Sequence, residues 1–434
     1  MSKLAINGGP KVRERKFPPY ITVGDEERVA VDRVISSGSL SRFLGCWHED
    51  FYGGTEVRAF EAEWADFFGS KHAIAVNSAT SGLYCAVGAA GIGPGDEVIV
   101  SPYTMAASAV APLVYNAVPV FADIEEEYFC LDPDSIKERI SEHTRAIIVV
   151  DIFGQPYDAA RINAIAREHN LLIIEDCAQA PGIRYNGRYA GTLGDIGVFS
   201  LNYHKHIHTG EGGVVVTDND ELAERIRLIR NHAESVVEAK GETSLVNMLG
   251  FNYRMTEIDA AIGREQLKKL PELLRKRQEN VAYLANKLAE LPCLTPAATR
   301  PRAEHAFYVH PLTYCEQHAG IHRNRFVEAV RAELAPLELR ETEGVKVGSG
   351  YVKPIYLQPM FQRQIAYGAG GCPWSCEKYR GNVSYAPRIC PVAERMHFSE
   401  LILHELIRPP MTTEDLDDVV NAFAKVWENR DELT

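Results

Sequence analysis

The stretch AIIVVDIFGQPYDAARINAIAREHNLLIIEDCAQA spans residues 146–180, and its reading sets that of the chain around it. Two short apolar runs, residues 146–150 and 171–174, flank a helical segment at 159–169. Neither run alternates apolar with polar residues. Strands without that alternation are buried on both faces, the condition of a parallel sheet covered by helices. The acid pair Glu175-Asp176 follows the second run directly. An acid leaving a hydrophobic strand is either a structural hydrogen-bonder or a charge aimed at a ligand, because such sheets bind ligands beyond their strand ends.

The same pattern extends outward on both sides. Residues 73–76, 97–100 and 118–121 read as strands, residues 80–90 and about 104–114 as helices, and Gly91-Ile92-Gly93-Pro94-Gly95-Asp96 ends the first helix. Val214-Val215-Val216 is a further apolar run. Short strands alternating with helices predict an α/β fold with a mostly parallel sheet between helical layers. After Phe251 the spacing changes. Met255, Ile258 and Ile262 recur at helical spacing. Pro271 is expected to open a second helix carrying Leu274, Val281, Leu284, Leu288 and Leu291 on one face. This helical region is the expected passage from a large domain, residues 1–265, to a smaller α/β domain, residues 266–434. Thr412-x-x-Asp415 reads as a helix start.

The 434 residues are too many for one compact core. A formal net charge of −13 argues against nucleic acid and against an anionic membrane surface. No apolar run reaches the ~18 residues of a spanning helix, and the first residues lack the long apolar core of a signal peptide. The expected setting is the cytoplasm. Nine cysteines, an odd number, do not form an evident disulfide framework. Cys372-x3-Cys376 followed by Cys390 lacks a standard zinc spacing, and the neighbouring Pro, Gly and Trp indicate an irregular loop.

Three features bear on chemistry. Asn77-Ser78-Ala79-Thr80-Ser81 joins a strand to a helix, and a helix N-terminus offers amides and a favourable dipole to a phosphate. Asp176 with Gln179 follows a buried strand. Lys205 stands in FSLNYHKHIHTGEGG, residues 199–213, ahead of the glycine-rich Thr209-Gly210-Glu211-Gly212-Gly213. A phosphate cradle, an acid for a ring nitrogen and a lysine for a Schiff base are together what pyridoxal phosphate needs. His204, His206 and His208 alternate, so an extended chain would turn all three to one face, as a metal site requires. The reading preferred is a polar loop beside an anionic ligand, and no metal is expected.

The chain resembles the DegT-type sugar aminotransferases of the fold-type-I pyridoxal phosphate enzymes over nearly its whole length. The resemblance rests on Gly93-Pro94-Gly95-Asp96-Glu97-Val98-Ile99-Val100, Glu175-Asp176-Cys177-Ala178-Gln179-Ala180, the segment of Phe199, Ser200, Leu201 and Lys205 before the glycines, and Gly250-Phe251-Asn252-Tyr253-Arg254-Met255-Thr256-Glu257-Ile258. It implies a seven-stranded-type sheet, pyridoxal 5′-phosphate, and a homodimer with shared active sites. By resemblance Lys205 would carry the cofactor as a Schiff base, Asp176 would pair with its ring nitrogen, and Gln179 would bond its phenolic oxygen. Thr80, the backbone of Ala79, and Ser200 would hold the phosphate, with Asn252 reaching it from the neighbouring subunit. Tyr203 and His204 are candidate substrate contacts.

The chain departs from the family pattern at four places. Ala79 replaces a usual glycine, Met105 stands where an aromatic ring commonly stacks on the cofactor, and Asp259 replaces a common glutamine. Residues 344–396 are longer and more irregular than the pattern. The expected reaction moves an amino group from glutamate or glutamine to a keto sugar, nucleotide-linked, or to a keto cyclitol. The competing readings are a sugar dehydratase of the same family, which would carry histidine in place of Lys205, and a non-catalytic regulator that binds the cofactor.

Overall fold

The computed structural model describes residues 3–434. Its large sheet has seven strands: β1 (His72–Val76), β2 (Glu97–Val100), β3 (Val118–Phe121), β4 (Thr144–Val150), β5 (Leu172–Asp176), β8 (Ile196–Ser200) and β9 (Gly213–Thr217). A two-stranded hairpin, β6 (Arg184–Tyr185) and β7 (Arg188–Tyr189), lies between β5 and β8 in sequence. The order across the large sheet is β1-β9-β8-β5-β4-β2-β3. Strand β9 pairs antiparallel with both neighbours, and the other pairings are parallel.

The apolar runs behave as strands buried on both faces must. In β1, Ile74 and Val76 enter one core while Ala73 and Ala75 enter another with Phe60, Trp64 and Phe199. Successive side chains point to opposite faces, so both faces have to be apolar. The helices Ala79–Ala89, Ala107–Val114 and Ala159–Glu168 join consecutive strands. Gly82 brings the first onto the sheet: a Cβ there would lie 2.9 Å from Val198 and 3.0 Å from Val215.

One expectation is corrected after Phe251. Residues Glu257–Leu288 form one 32-residue helix, and Pro271 lies inside it rather than opening a second. Proline removes one backbone donor. Here Leu267, Leu270 and Leu274 are buried on both sides of Pro271, and their packing holds the helix through it. The Thr412 and Asp415 pair forms a capping box on Thr413–Glu428, as their spacing predicts.

A second sheet has the order β10 (Leu294–Pro296), β11 (His310–Tyr314), β13 (Leu401–His404), β12 (Val347–Ser349), all antiparallel. Its core includes Val281, Leu284 and Leu288 of the long helix and Leu416, Val419 and Phe423 of the last one. Residues 350–396 leave this sheet and return to the large one. Ile355, Tyr356, Phe361 and Tyr385 join its core, and the Tyr385 hydroxyl donates to the Pro119 carbonyl on edge strand β3 at 2.6 Å. Among the described residues no helix is long and apolar enough to cross a membrane.

Candidate active site

Strand register assembles the site. Gly213 stands opposite Val76 on one side and Ser200 on the other. Because β9 runs against its neighbours, its beginning meets the ends of β1 and β8 at one edge. Asn77 through Thr80, Ser200 and Gly213, remote in sequence, thereby converge. The approach is close: a Cβ on Gly213 would lie 2.6 Å from the Ala79 nitrogen and 2.7 Å from the Ser78 carbonyl carbon.

Ser78 caps the helix Ala79–Ala89, its hydroxyl accepting from the Ser81 amide at 3.1 Å. The amides of Ala79 and Thr80 meet no acceptor among the described residues. Free amides at the positive end of a helix dipole form a cradle for an anion. The geometry fits a phosphate with Ala79, Thr80 and the buried Ser200 around it.

Asp176 ends β5 and is buried. Its Oδ2 accepts from the Ser108 hydroxyl at 2.7 Å and its Oδ1 from the Ala178 amide at 3.3 Å. Burial pushes its carboxyl above the ordinary value, against the opposing pull of those two hydrogen bonds and of the Lys205 charge. A cationic ring nitrogen beside it would favour the carboxylate further. Lys205 lies on a turn-rich loop, with its amide donating to the Asn202 carbonyl at 2.9 Å. Its ammonium stands 4.4 Å from the centre of the Tyr308 ring and forms no ion pair among the described residues.

Gln179 is oriented by the backbone. Its Oε1 accepts from the Phe153 amide at 2.7 Å, so its amide nitrogen faces the site and donates to the Tyr351 hydroxyl at 3.2 Å. Ser108, Phe153, Tyr308 and Tyr351 were not among the expected site residues. The signal for Ser108 was a hydroxyl in a helix following β2. Nothing local marks Tyr351, which comes from the irregular segment beyond β12. Tyr308 and Tyr351 also line a cavity of about 260 Å³ with Lys346, His404 and Glu405.

The other expected residues have these surroundings. Met105 is exposed. Asn252 is exposed, its Oδ1 accepting from Arg254 Nε at 2.8 Å and its carbonyl from Asn77 Nδ2 of the same chain at 3.4 Å. The three histidines do not share a face, because the loop turns instead of extending. His206 is wholly buried, its Nε2 bonded to the Ala306 carbonyl at 2.8 Å, and burial holds its pKa well below the ordinary value. His208 Nδ1 accepts from the Gly210 amide at 3.3 Å. The Tyr203 and His204 rings lie 3.7 Å apart, and burial lowers the His204 pKa. Cys372 and Cys376 fall in the irregular loop, and Cys390 is buried.

The chain is similar to known proteins over nearly its whole length. The family model of the DegT/DnrJ/EryC1/StrS aminotransferase family matches residues 46–383. The chain is 31% identical to the spore coat polysaccharide biosynthesis protein SpsC of Bacillus subtilis (strain 168), over 96% of this chain and 99% of that protein. It is 31% identical to the L-glutamine:scyllo-inosose aminotransferase of Streptomyces griseus, over 100% of this chain and 99% of that protein. The structure is similar to that of DesI in the presence of its TDP-sugar product, with a TM-score of 0.80, 29% identity, and coverage of 99% of this chain and 98% of that one.

Proposed function

This chain belongs to the DegT/DnrJ/EryC1/StrS aminotransferase family, and from that premise we propose that it uses pyridoxal 5′-phosphate to move an amino group from glutamate or glutamine to a keto sugar, nucleotide-linked, or to a keto cyclitol. The observation that carries this reading is buried Asp176 at the end of β5, its Oδ2 held by the Ser108 hydroxyl at 2.7 Å. The two kinds of acceptor are supported by the similarity to a scyllo-inosose aminotransferase and to DesI.

Each residue then has a task. The amides of Ala79 and Thr80, with the Ser200 hydroxyl, hold the phosphate. Asp176 keeps a proton on the ring nitrogen, Ser108 fixes which way that carboxylate faces, and Gln179 donates to the ring oxygen. When bound, the cofactor supplies an electron-accepting ring that stabilises negative charge at the substrate's amine-bearing carbon. Lys205 binds the cofactor covalently. Its amine, once freed, would take the proton from that carbon and pass it to the cofactor carbon that bears the nitrogen, as base and then acid, and the reverse transfer would protonate the acceptor's carbon. Met105 is the residue placed to cover the ring in this reading, a thioether in place of an aromatic ring. Tyr203 and His204 are the substrate contacts.

The same reading makes the protein a homodimer in which Asn252 reaches the partner's phosphate. It divides the chain into a cofactor-binding part, residues 1–265, and a smaller part, residues 266–434. It also puts the protein in the cytoplasm, where the free state of all nine cysteines is ordinary. The test is spectroscopic and chemical. Purified protein should show an absorbance band near the visible edge that borohydride abolishes, with the reduced adduct mapping to Lys205. A screen of both donors against keto sugars and keto cyclitols, read by product mass, identifies the acceptor. Absence of the reducible band defeats the reading.

A further inference from the structure

One residue from Lys205, on the side of the N-terminal arm, lies a pocket of about 290 Å³. Tyr20, Tyr203, His204, His208, Arg340 and Arg408 line it, with Ile21, Val23 and Leu339 exposed around it. Arg408 in its wall, and Arg277 behind the wall residue Tyr20, make an uncommon charge arrangement. Arg408 is buried, and its Nε has no hydrogen-bond acceptor. Its Nη2 lies 2.5 Å from a Glu405 carboxylate oxygen but without hydrogen-bond geometry. Arg277, wholly buried, has Nε and Nη2 unpartnered and forms no ion pair among the described residues. Burial draws its pKa down to about 10.

The Tyr20 ring lies close to both arginines, 5.2 Å from the Arg277 guanidinium and 5.7 Å from that of Arg408. Its hydroxyl donates to the carbonyl of His206, next to Lys205, at 2.5 Å. The acids that pair with its arginines line the cavity beside Tyr308 and Tyr351 rather than this one, and they are shared. Glu405 serves Arg340 and Arg408, and Glu343 serves Arg340 and Lys346. Glu338, at the rim, is exposed. Positive charge therefore exceeds negative charge where water is largely excluded, and buried guanidinium N–H groups are left without acceptors. An unpaired buried charge is costly, and a bound anion would relieve it with charge-assisted hydrogen bonds.

We propose that this pocket is an oxyanion seat, with Arg408 as its principal donor and Tyr20 and Tyr203 as aromatic walls for the carbon skeleton that the anion carries. This rests on the proposed transamination and deepens it: the oxyanion is one that a substrate brings, either the amino donor's carboxylate or the phosphate of a nucleotide-linked acceptor. The titration of holoenzyme with glutarate, and separately with inorganic pyrophosphate, followed by heat, distinguishes the sources. At least one should bind. Arg408→Gln should weaken that binding about tenfold or more, the range of one charge-assisted hydrogen bond, and Arg408→Lys should weaken it less. Leu339, exposed at the rim, gives a second handle that leaves the core untouched: Leu339→Glu should lower the affinity several-fold and Leu339→Lys raise it. Glutarate as the affected probe assigns the donor carboxylate, and pyrophosphate assigns the acceptor phosphate. Binding of neither probe, or binding that none of these variants alters, overturns the seat. Failure of the underlying aminotransferase reading is separate, since it would show as no borohydride-reducible adduct at Lys205 whatever the titration gives.

Discussion

The end of the large sheet that carries Asp176 and the segment of residues 350–396 both build the site, but by different physics. At the sheet end, short strands in fixed register deliver backbone groups: Gly213 beside Ser200 and Val76, the Ala79 amide, and Asp176 closing β5. In the second region regular structure is limited to the short helical turns Ile355–Leu357, Pro359–Arg363 and Pro391–Arg395, and position is set by individual side-chain hydrogen bonds. Tyr385 donates to the Pro119 carbonyl, Trp374 Nε1 donates to the Tyr385 hydroxyl at 2.8 Å, and Tyr379 donates to Glu97 at 2.7 Å. The Tyr351 amide in turn donates to the Tyr103 hydroxyl at 2.8 Å. The difference teaches that Asp176, Ser200 and the Ala79 amide are set by the rigid scaffold, with Lys205 on a loop joining two of its strands, while the segment over them can vary without rebuilding it. That segment also covers β3, whose outer edge would otherwise be open for pairing.

Mutations that strike the scaffold end should reduce activity most. Lys205→Ala should lower turnover by about 10²–10⁴-fold or more, the worth of a positioned proton-transfer group, and should abolish the borohydride-reducible adduct. Near-normal turnover in that variant would break the contrast at its strongest point. Asp176→Asn keeps the shape and removes the charge. It should slow proton removal from the donor roughly ten- to hundredfold, the range of a charged hydrogen bond, and shift the cofactor's absorbance. An unchanged rate and spectrum would show that Asp176 is not the ring partner.

Effects should shrink toward the second region. Tyr351→Phe removes one neutral hydroxyl from Gln179 and leaves the ring in place, so kcat should fall only about fivefold. A loss as large as that of Asp176→Asn would place Tyr351 in the chemistry and narrow the contrast. Tyr385→Phe should leave kcat within about twofold while lowering stability by about 1–3 kcal/mol, because it strands the buried Pro119 carbonyl and the Trp374 donor. Denaturant unfolding followed by fluorescence measures the second quantity, and steady-state kinetics the first. A Tyr385→Phe protein of normal stability but low activity would reverse the assignment of this segment to support.

Much of the scaffold end was legible in the chain. Apolar runs at 146–150 and 171–174 lie within β4 and β5 or overlap them, and Asp176 closes the second as expected. Strand β8 was not read as a strand, because Gly197 and Ser200 break its apolar run. Pro271 carries a local penalty that the sequence shows, while the leucines whose packing holds the helix through it act only in the folded core. Thr80, Gln179, Ser200 and Lys205 carry residue types whose chemistry is visible one at a time.

The sequence by itself determined the α/β class, the positions of most strands of the large sheet, the capping of the last helix and the candidate lysine and acid, because each depends on neighbours a few residues away or on side-chain chemistry. Only the tertiary structure decided that Ser108 holds Asp176, that Phe153 orients Gln179, that Tyr351 arrives from 172 residues beyond Gln179, and that Arg408, paired to a shared Glu405, and Arg277, with no ion pair among the described residues, both stand against Tyr20. These contacts join segments far apart along the chain. Their partners are chosen by sheet order, burial and the matching of hydrogen-bond donors to acceptors, none of which leaves a local period to read.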